Sequence, residues 1–196
     1  MRLENRNAIV TGSGNGIGRA IAILFAKEGA NVIVADIEED TGNETVEIIK
    51  ANGGEASFIN VDTSKLDSVE NMVNSSIEKY GDINVLVNNA AAFVFGNIEN
   101  ITQNDWSKVL GVNVIGYANC VQKSLDSLKK TDGSSIINIA SVSSFIAQPD
   151  FVPYNTSKGA VVQLSKCLAM DLSKYNIRVN SICPGSIRTR ATNDET

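Results

Sequence analysis

The sequence predicts an α/β fold, with a doubly wound parallel sheet covered on both faces by helices in a three-layer α/β/α arrangement. Two observations support this prediction. Short apolar runs rich in β-branched residues alternate with longer, helix-like stretches along the 196 residues. Within those runs the apolar residues are nearly continuous, which is typical of parallel strands buried on both faces. Because no linker or low-complexity segment interrupts the alternation, we expect residues 1–196 to form a single domain.

A glycine-rich turn joins the first predicted strand to the first predicted helix. The apolar run at residues 8–10 breaks into glycines and small polar residues at 11–18, then resumes at 20–26 and stops at Gly29. Glycines let the backbone approach a ligand closely, and a helix start offers unpaired N–H groups and a positive dipole end. These features suit a phosphate, so a bound dinucleotide is expected. The alternative is a glycine-rich turn without a ligand.

The second predicted strand, residues 31–36, completes a βαβ unit and ends on Asp36, 18 residues beyond Gly18. A carboxylate at this place accepts hydrogen bonds from a ribose diol and repels a 2′-phosphate. The alternative interpretation of Asp36 is a helix cap or turn residue.

The remaining elements continue the same alternation. Strands are predicted over about 56–61, 83–87, 135–140 and 177–182. Helices are predicted over about 42–51, from Ser64 to residue 80, and over 102–130 and 154–174. Capping boxes are predicted at 64–67 and 102–105. Asp62, just after the third strand, either caps the next helix or holds an adenine amino group.

Composition excludes several classes of function. A net charge of −5 without a basic run argues against nucleic-acid partners. No apolar run approaches the roughly 20 residues that cross a bilayer, so no membrane partner is expected. The three cysteines have no CxxC spacing and are an odd number, which favours free thiols in the cytoplasm over disulfides or a metal site. The chain has no histidine, so acid–base chemistry requires Tyr, Lys, Asp, Glu or Cys.

Tyr154 and Lys158 are four residues apart and therefore share one helix face. A phenol has an ordinary pKa of about 10. We expect the Lys158 ammonium and the charge of an oxidised nicotinamide to lower the pKa of Tyr154, so that it moves a proton near pH 7. Ser141 follows the fifth predicted strand, where it can hold a substrate oxygen. The alternative is an exposed Tyr–Lys pair on a helix surface.

Together these motifs resemble those of the short-chain dehydrogenase/reductase family, whose fold is Rossmann-like. The resemblance covers residues 7 to about 189. The matching segments are the glycine turn at 11–18, Asn-Asn-Ala at 88–90, Asn113, Ser141 placed 13 residues before Tyr154, the motif at 154–158, and Pro-Gly-Ser-Ile-Arg-Thr at 184–189.

The resemblance implies an NAD-dependent oxidoreductase that transfers a hydride between NAD(H) and a secondary alcohol or ketone. Tyr154 is then the acid–base, Lys158 lowers its pKa and holds the ribose, Ser141 polarises the substrate oxygen, and Asn113 supports the proton relay. The implied cofactor-binding residues are Thr11, Gly12, Ser13, Asn15, Gly16, Ile17, Gly18, Asp36, Ile37, Asp62, Thr63, Asn89, Ala90, Ala91, Tyr154, Lys158, Pro184, Gly185, Ile187 and Thr189.

The substrate side is expected to be largely apolar, for a small-molecule alcohol or carbonyl compound. Its candidate residues are Phe93, Phe95, Ser141, Val142, Ser143, Gln148 and Phe151. The family resemblance also implies a homodimer or homotetramer through the helices at 102–130 and 154–174. The apolar residues expected in that contact are Val114, Val121, Leu125, Val162, Leu164 and Leu168.

The chain departs from the family pattern in two respects. Ala91 replaces the usual glycine after Asn-Asn-Ala, and we expect the extra methyl to be tolerated. The sequence also stops at Thr196, before the family's last strand and substrate-covering helices. We therefore expect either a shortened form of a longer enzyme or a short variant with reduced activity, with a mobile tail after residue 189. The rival function is a catalytically weak or inactive nucleotide-binding sensor or scaffold.

Overall fold

A computed structural model of the chain describes residues 1–189. Its strands are β1 Asn7–Thr11, β2 Asn31–Asp36, β3 Glu55–Asn60, β4 Val85–Asn88, β5 Ser135–Ile139 and β6 Arg178–Ile182. Its helices are α1 Gly16–Lys27, α2 Glu39–Ala51, α3 Leu66–Tyr80, α4 Gln103–Leu110, α5 Gly116–Lys130 and α6 Val152–Leu172. Short 3₁₀ turns cover Val142–Ser144 and Ser173–Tyr175. The prediction for the tail after residue 189 lies outside the described residues.

The six strands form one parallel sheet in the order β3-β2-β1-β4-β5-β6. The chain runs outward from β1 to β3, then returns to β4 beside β1 and runs outward in the other direction. This reversal between β1 and β4 is the switch point at which such sheets bind ligands. The doubly wound parallel sheet predicted from the sequence is confirmed.

Two apolar layers flank the sheet. Residues of α1 and α2, among them Ala22 and Ile49, pack with one set of strand side chains. Residues of α3, α5 and α6 pack with the other set, in which Ile9, Leu86 and Ile136 are paired across β1, β4 and β5 and are fully buried. Burying one such side chain stabilises the fold by about 1.5–3 kcal/mol, which explains why the strands read as continuous apolar runs.

One predicted capping box forms and the other does not. The Thr102 hydroxyl accepts from the Asp105 N–H, and the Asp105 carboxylate accepts from the Thr102 N–H. The box predicted at Ser64 is wrong, because the Ser64 hydroxyl donates to Asp62 instead and Lys65 is the N-cap of α3. Sequence spacing does not reveal that a nearer carboxylate competes for the same hydroxyl.

The long helix predicted over 102–130 is not regular. A π-helical segment, Gly111–Ile115, separates α4 from α5. Such segments shift the backbone register by one residue and are frequent at functional sites. The chain thereby turns Asn113 into the interior, where it is fully buried.

Within residues 1–189, no helix combines the length and the apolar composition that crossing a bilayer demands.

Candidate active site

The carboxyl ends of β1, β2 and β4 surround a cavity of about 620 Å³. Most of the predicted cofactor-binding residues line it, together with the predicted substrate residue Phe93. The predicted residues in its wall are Gly12, Asn15, Gly16, Ile17, Asp36, Ile37, Asp62, Thr63, Asn89, Ala90, Ala91, Phe93 and Thr189. The wall also contains residues that the sequence motifs did not single out, namely Glu38, Val61, Ala92, Lys108 and Val112.

The glycine turn is packed so closely that Gly12 and Gly18 have no room for a side chain. Gly12 and Gly16 have positive φ angles of 64° and 53°, in the region that favours glycine. A Cβ atom on Gly18 would lie 2.1 Å from the Gly12 carbonyl oxygen. The Asn89 side chain supports the turn, because its Nδ2 donates to the carbonyls of Thr11 and Gly12 at 3.0 and 2.9 Å. The turn therefore has a single shape, with the start of α1 directed at the cavity.

Two predicted cofactor residues lie beneath the turn and support it. The Thr11 hydroxyl accepts from the N–H groups of Asn89 and Ala90 at 3.0 and 3.2 Å. The buried Ser13 hydroxyl donates to Val10 and accepts from the Ala35 N–H, which joins β1 to β2. Both hydroxyls are thus used within the protein, and neither residue is part of the cavity wall described above.

Asp36 ends β2 at the edge of the cavity. Its carboxylate accepts from the Gly14 N–H at 2.7 Å and from the Glu38 N–H at 3.0 Å, which fixes its direction. The nearby Arg19 guanidinium is paired with Glu44 at 2.7 Å and also donates to the Gly14 carbonyl. The positive charge of Arg19 is therefore paired with Glu44, and Asp36 makes this edge of the cavity acidic.

Asp62 has a structural role as well as a place in the cavity wall. Its carboxylate accepts from the N–H and hydroxyl of Ser64 and pairs with Lys65 at 3.2 Å. Burial opposes ionisation of Asp62, but the bonds from Ser64 and Lys65 outweigh it and lower its pKa. Lys65 is the N-cap of α3, so the predicted capping role of Asp62 is wrong, and its carboxylate instead holds the turn at Ser64. Its predicted contact with an adenine amino group stays a prediction.

Ser141, Tyr154 and Lys158 converge at the carboxyl end of β5. Ser141 follows β5 and begins the 3₁₀ turn, while Tyr154 and Lys158 lie on the first two turns of α6. The Ser141 side chain is close enough to the Tyr154 phenol to lower its pKa. The Lys158 ammonium donates to the Ile139 carbonyl at 2.8 Å, lies 5.8 Å from the centre of the Tyr154 ring and is 2% exposed.

The protonation equilibria of this group differ from the expectation. Burial raises the pKa of Tyr154, and the polar side chain of Ser141 only partly offsets that effect. The sequence predicted that Lys158 and an oxidised nicotinamide would lower the pKa of Tyr154. For the chain alone, that predicted direction is wrong. Burial also lowers the pKa of Lys158 to about 8, against the influence of nearby Cys183. Desolvation, which sequence spacing does not show, dominates both groups.

A buried tyrosine adjoins the ammonium of Lys158. The Tyr117 hydroxyl donates to the Ile139 carbonyl at 3.1 Å, so one oxygen accepts from both Tyr117 and Lys158. The ammonium also lies 5.7 Å from the centre of the Tyr117 ring. No motif marked Tyr117, although its spacing of four residues from Asn113 on one helix was a usable signal.

Asn113 contacts the loop after β4 and helix α6 with its whole side-chain amide. Its Oδ1 accepts from the Ala92 N–H at 2.7 Å, and its Nδ2 donates to the Ala92 carbonyl at 3.1 Å and to the Ser157 hydroxyl at 2.9 Å. The side chain is therefore engaged with the residue before Phe93 and the residue before Lys158. This arrangement fixes both segments relative to each other.

Three phenylalanines surround Tyr154 on the side predicted for the substrate. The Phe93 ring is stacked on the Tyr154 ring, with centroids 5.4 Å apart and planes 18° apart. The ring centroids of Phe95 and Phe151 are 4.6 Å apart. They lie 5.7 and 6.2 Å, respectively, from the centroid of the Tyr154 ring. The loop after β4 is joined to the segment before α6 by backbone bonds between Gly96 and the residues on either side of Phe151. Phe93 is 48% exposed, so this aromatic wall faces open space.

The other predicted substrate residues lie in the turn after β5. Val142 is partly exposed, while the Ser143 hydroxyl donates to the Gln148 side-chain oxygen at 3.2 Å. The loop after β6 returns to this turn, because the Val142 N–H donates to the Pro184 carbonyl at 3.0 Å. Pro184 and Ile187 line a second cavity, of about 440 Å³, against α1, and Gly185 lies between them in sequence.

Within the described part of the chain, no group of three His, Cys, Asp or Glu residues is arranged to hold a metal ion.

Comparison with known proteins agrees with this architecture. Residues 6–196 match the family model described as short chain dehydrogenase. A meso-2,3-butanediol dehydrogenase of Serratia marcescens is 38% identical, with 98% of this chain and 76% of that protein aligned. An uncharacterized oxidoreductase of Thermotoga maritima is 43% identical, with 95% of this chain and 73% of that protein aligned.

A solved structure has the same fold. The short chain dehydrogenase/reductase from Burkholderia phymatum, determined in complex with NAD, superposes with a TM-score of 0.93 at 31% identity. The alignment covers 96% of this chain and 68% of that one.

Proposed function

We propose that this chain, which belongs to the short-chain dehydrogenase family, transfers a hydride between NAD(H) and a secondary alcohol or ketone, with the Tyr154 phenol as acid–base. The observation that carries the proposal is the convergence of Ser141, Tyr154 and Lys158 beside the cavity above the glycine turn. Phe93 connects the two, because it lines the cavity and stacks on Tyr154. The chain is an NAD-dependent oxidoreductase of this family, and the finer assignment is the proposal.

The residues around the cavity fit a dinucleotide. The closed glycine turn and the first turn of α1 present backbone N–H groups for the pyrophosphate, and the Asp36 carboxylate suits the hydroxyls of the adenosine ribose. We assign the nicotinamide ribose to Lys158 and the carboxamide to Ile187 and Thr189, following the family pattern. When bound, NAD takes up or supplies the hydride.

Proton transfer is assigned to the chain's own side chains. In the oxidative direction the substrate hydroxyl gives its proton to the Tyr154 oxygen, while the Ser141 hydroxyl donates to the substrate oxygen and holds it in place. Because burial raises the pKa of Tyr154, the phenolate needs a nearby positive charge, which the Lys158 ammonium provides. Lys158 remains largely protonated at pH 7, because its pKa is about 8.

For Asn113 we propose that the relay runs through its backbone carbonyl. All of its side-chain polar atoms are occupied by Ala92 and Ser157. Asn113 lies in the π-helical segment, where the local pairing of backbone carbonyls differs from that of an α-helix, and we therefore assign the relay to its backbone.

The aromatic wall of Phe93, Phe95 and Phe151 favours an apolar substrate. These rings face Tyr154, so the group attached to the reacting carbon would bury apolar area against them. We propose a secondary alcohol or ketone with an apolar substituent.

Replacing the phenol tests the proposed function. Tyr154→Phe should lower the turnover of the best substrate in a panel of secondary alcohols at least about 100-fold, because acid–base catalysis contributes about that much or more. NAD binding, measured by calorimetry, should stay within about twofold. Tyr175→Phe, at a partly exposed tyrosine after α6, is the matched control and should keep full turnover.

A Tyr154→Phe enzyme retaining more than about a tenth of the rate would overturn the acid–base role. NAD binding by wild type without turnover on any alcohol would favour the sensor or scaffold instead.

We also propose a homodimer or homotetramer, but through fewer residues than the sequence pattern suggested. Val121 is buried in this chain's own core, so its assignment to an interface was wrong. In the two chain segments named for the interface, Ile115 is 53% exposed and Met170 is 81% exposed. Light scattering at micromolar concentration should give at least twice the mass of 20.9 kDa, and a monomer would contradict the proposal.

We propose the cytoplasm as the site of action, on the basis of the cysteines. Cys120, Cys167 and Cys183 are free thiols. Free thiols are the usual state in a reducing compartment. Cell fractionation with an antibody to the chain would test this assignment.

A further inference from the structure

One side-chain amide joins the segment that carries Ser141 to the helix that carries Tyr154. The Gln148 oxygen Oε1 accepts from the Ser143 hydroxyl at 3.2 Å and from Asn155 Nδ2 at 3.1 Å. Ser143 in turn donates its backbone N–H to the Ser141 hydroxyl oxygen at 3.1 Å, and Asn155 directly follows Tyr154. One partner of Gln148 is therefore hydrogen-bonded to Ser141, and the other is the sequence neighbour of Tyr154.

The orientation of the Gln148 amide is determined by its neighbours. The same Nδ2 atom of Asn155 lies 3.1 Å from the backbone carbonyl of Ile146, which can only accept a hydrogen bond. That atom of Asn155 must then be the nitrogen, and the Gln148 atom facing it must be the oxygen. Gln148 consequently acts as a shared acceptor for both segments.

We propose that Gln148 is a positioning residue for proton transfer, whose amide oxygen holds the turn after β5 against the start of α6 and so sets the contact between the Ser141 and Tyr154 hydroxyls. This inference rests on the proposed roles of Ser141 and Tyr154. It changes the role predicted for Gln148 from a substrate contact to a link between two segments of the protein.

The physical reason is that both hydroxyls depend on short segments for their position. Ser141 is the N-cap of a 3₁₀ turn of three residues, and Tyr154 lies in the first turn of α6, where helix ends fray most easily. A misplacement of about 1 Å in an active site lowers the rate by up to about 100-fold. The Ser144 hydroxyl also joins this turn to α6, by donating to the Lys158 carbonyl at 2.8 Å, so loss of the Gln148 link would loosen the two segments and not detach them. A looser placement of Ser141 would weaken its effect on Tyr154, which opposes the rise in the pKa of the phenol.

Other titratable groups face Tyr154 and are unchanged by the link. Lys158 lies one turn along α6, and Tyr117 on α5 is close enough to interact electrostatically with Tyr154. Neither is hydrogen-bonded to Gln148. A change in the pH profile on substitution of Gln148 would therefore reflect the contact between Ser141 and Tyr154.

The test compares Gln148→Met, which keeps the length but removes the acceptor, with Gln148→Glu, which keeps oxygen acceptors. We expect Gln148→Met to lower kcat about tenfold and to move the basic pKa of the kcat profile upward, with NAD affinity and substrate KM within about twofold. Gln148→Glu should restore kcat to within about threefold of wild type. Ser143→Ala should lower kcat on its own and add little to Gln148→Met, because both break the same link.

Three outcomes would overturn the proposal. Gln148→Met could raise the substrate KM and leave kcat and the pH profile unchanged, which would make Gln148 a substrate contact. It could leave all parameters unchanged, or Gln148→Glu could be as slow as Gln148→Met. If Gln148→Met does not fold, Ser143→Ala alone provides the test with the same readouts. Loss of activity in Tyr154→Phe together with a fully active Gln148→Met would refute this proposal and leave the proposed function standing.

Discussion

The proposed cofactor side and the proposed substrate side of the cleft are built differently. On the cofactor side, the glycine turn, Asn89 and Asp36 are held by bonds to backbone groups and by lack of space for additional atoms. On the substrate side, rings such as Phe93 and Phe95 contact each other and Tyr154 while remaining partly exposed.

This difference indicates where each kind of specificity resides. Backbone-supported geometry allows one shape, so the cofactor side should be intolerant of substitution and should control NAD affinity and stability. A wall of side chains can change its shape with little effect on the backbone, so the substrate side should control substrate choice. The following predictions test that separation, beginning with the largest expected effect.

Gly18→Ala should damage the cofactor side most. The added Cβ would lie 2.1 Å from the Gly12 carbonyl oxygen and 2.5 Å from Asn89 Nδ2. Such overpacking costs about 3 kcal/mol or more, equivalent to about a 100-fold loss of NAD affinity if the strain is expressed at the turn. Calorimetry with NAD and thermal unfolding would measure both effects. Gly159→Ala in α6, where the new Cβ would lie 3.9 Å from the Ser144 carbonyl oxygen, is the control and should change the free energy of unfolding by no more than about 1 kcal/mol. Equal behaviour of the two variants would contradict the steric argument.

Lys158 belongs to the proposed catalytic group, and its burial makes the free energy of unfolding depend on pH. Its pKa is about 8 in the folded protein and near 10.5 otherwise, so the unfolded chain binds more protons between these pH values. The contribution of Lys158 to the free energy of unfolding therefore rises between pH 8 and pH 10.5, by an amount on the order of 3 kcal/mol. Below pH 8 the cost of the buried charge is fully present.

The measurement is chemical denaturation of wild type and Lys158→Met from pH 7 to pH 10.5. The stability advantage of the Met variant should be largest at pH 7 and shrink toward pH 10.5. Comparison with the variant cancels the titration of other groups such as Tyr117 and Cys120. Parallel stability curves would show that Lys158 is not desolvated in the folded chain.

Asp36→Ala should change cofactor preference without affecting the substrate side. Removing the carboxylate abolishes both a charged acceptor and the repulsion of a 2′-phosphate, so the preference of kcat/KM for NAD over NADP should narrow about tenfold to 100-fold. Asp36→Asn separates the two effects, since it removes the charge and keeps one acceptor oxygen. Wild-type protein that binds NADPH more tightly than NADH would contradict the assignment of Asp36.

Phe93→Leu should have the smallest effect, confined to the substrate. Loss of the stacked ring removes an aromatic pair worth about 0.5–1.5 kcal/mol, so KM for an apolar alcohol should rise about two- to tenfold. NAD affinity should stay within about twofold. Phe145→Leu, at a ring that is largely exposed, is the matched control. A large loss of NAD affinity in Phe93→Leu would break the distinction between the two sides.

The same distinction explains what could be predicted from the sequence. The alternation of strands and helices, the glycine turn and the place of Asp36 follow from local patterns, because a few neighbouring residues determine them. The π-helical segment at Asn113 was not predicted, since apolar periodicity does not report which carbonyl each N–H bonds. The pKa direction of Tyr154 was wrong because burial depends on residues distant in sequence, such as Phe93 and Phe95.

The carbonyl of Ile139, which accepts from both Lys158 and Tyr117, has a spectroscopic consequence. When the Lys158 ammonium loses its proton, its hydrogen bond to the Ile139 carbonyl oxygen changes while that of the Tyr117 hydroxyl remains. The chemical shift of the Ile139 carbonyl carbon should therefore change. Isotope labelling of the Ile–Ala peptide bonds selects this site together with the bonds at Ile21 and Ile146, which serve as internal references. The charge of Lys158 can thus be followed in the intact protein from one resonance, without a substrate.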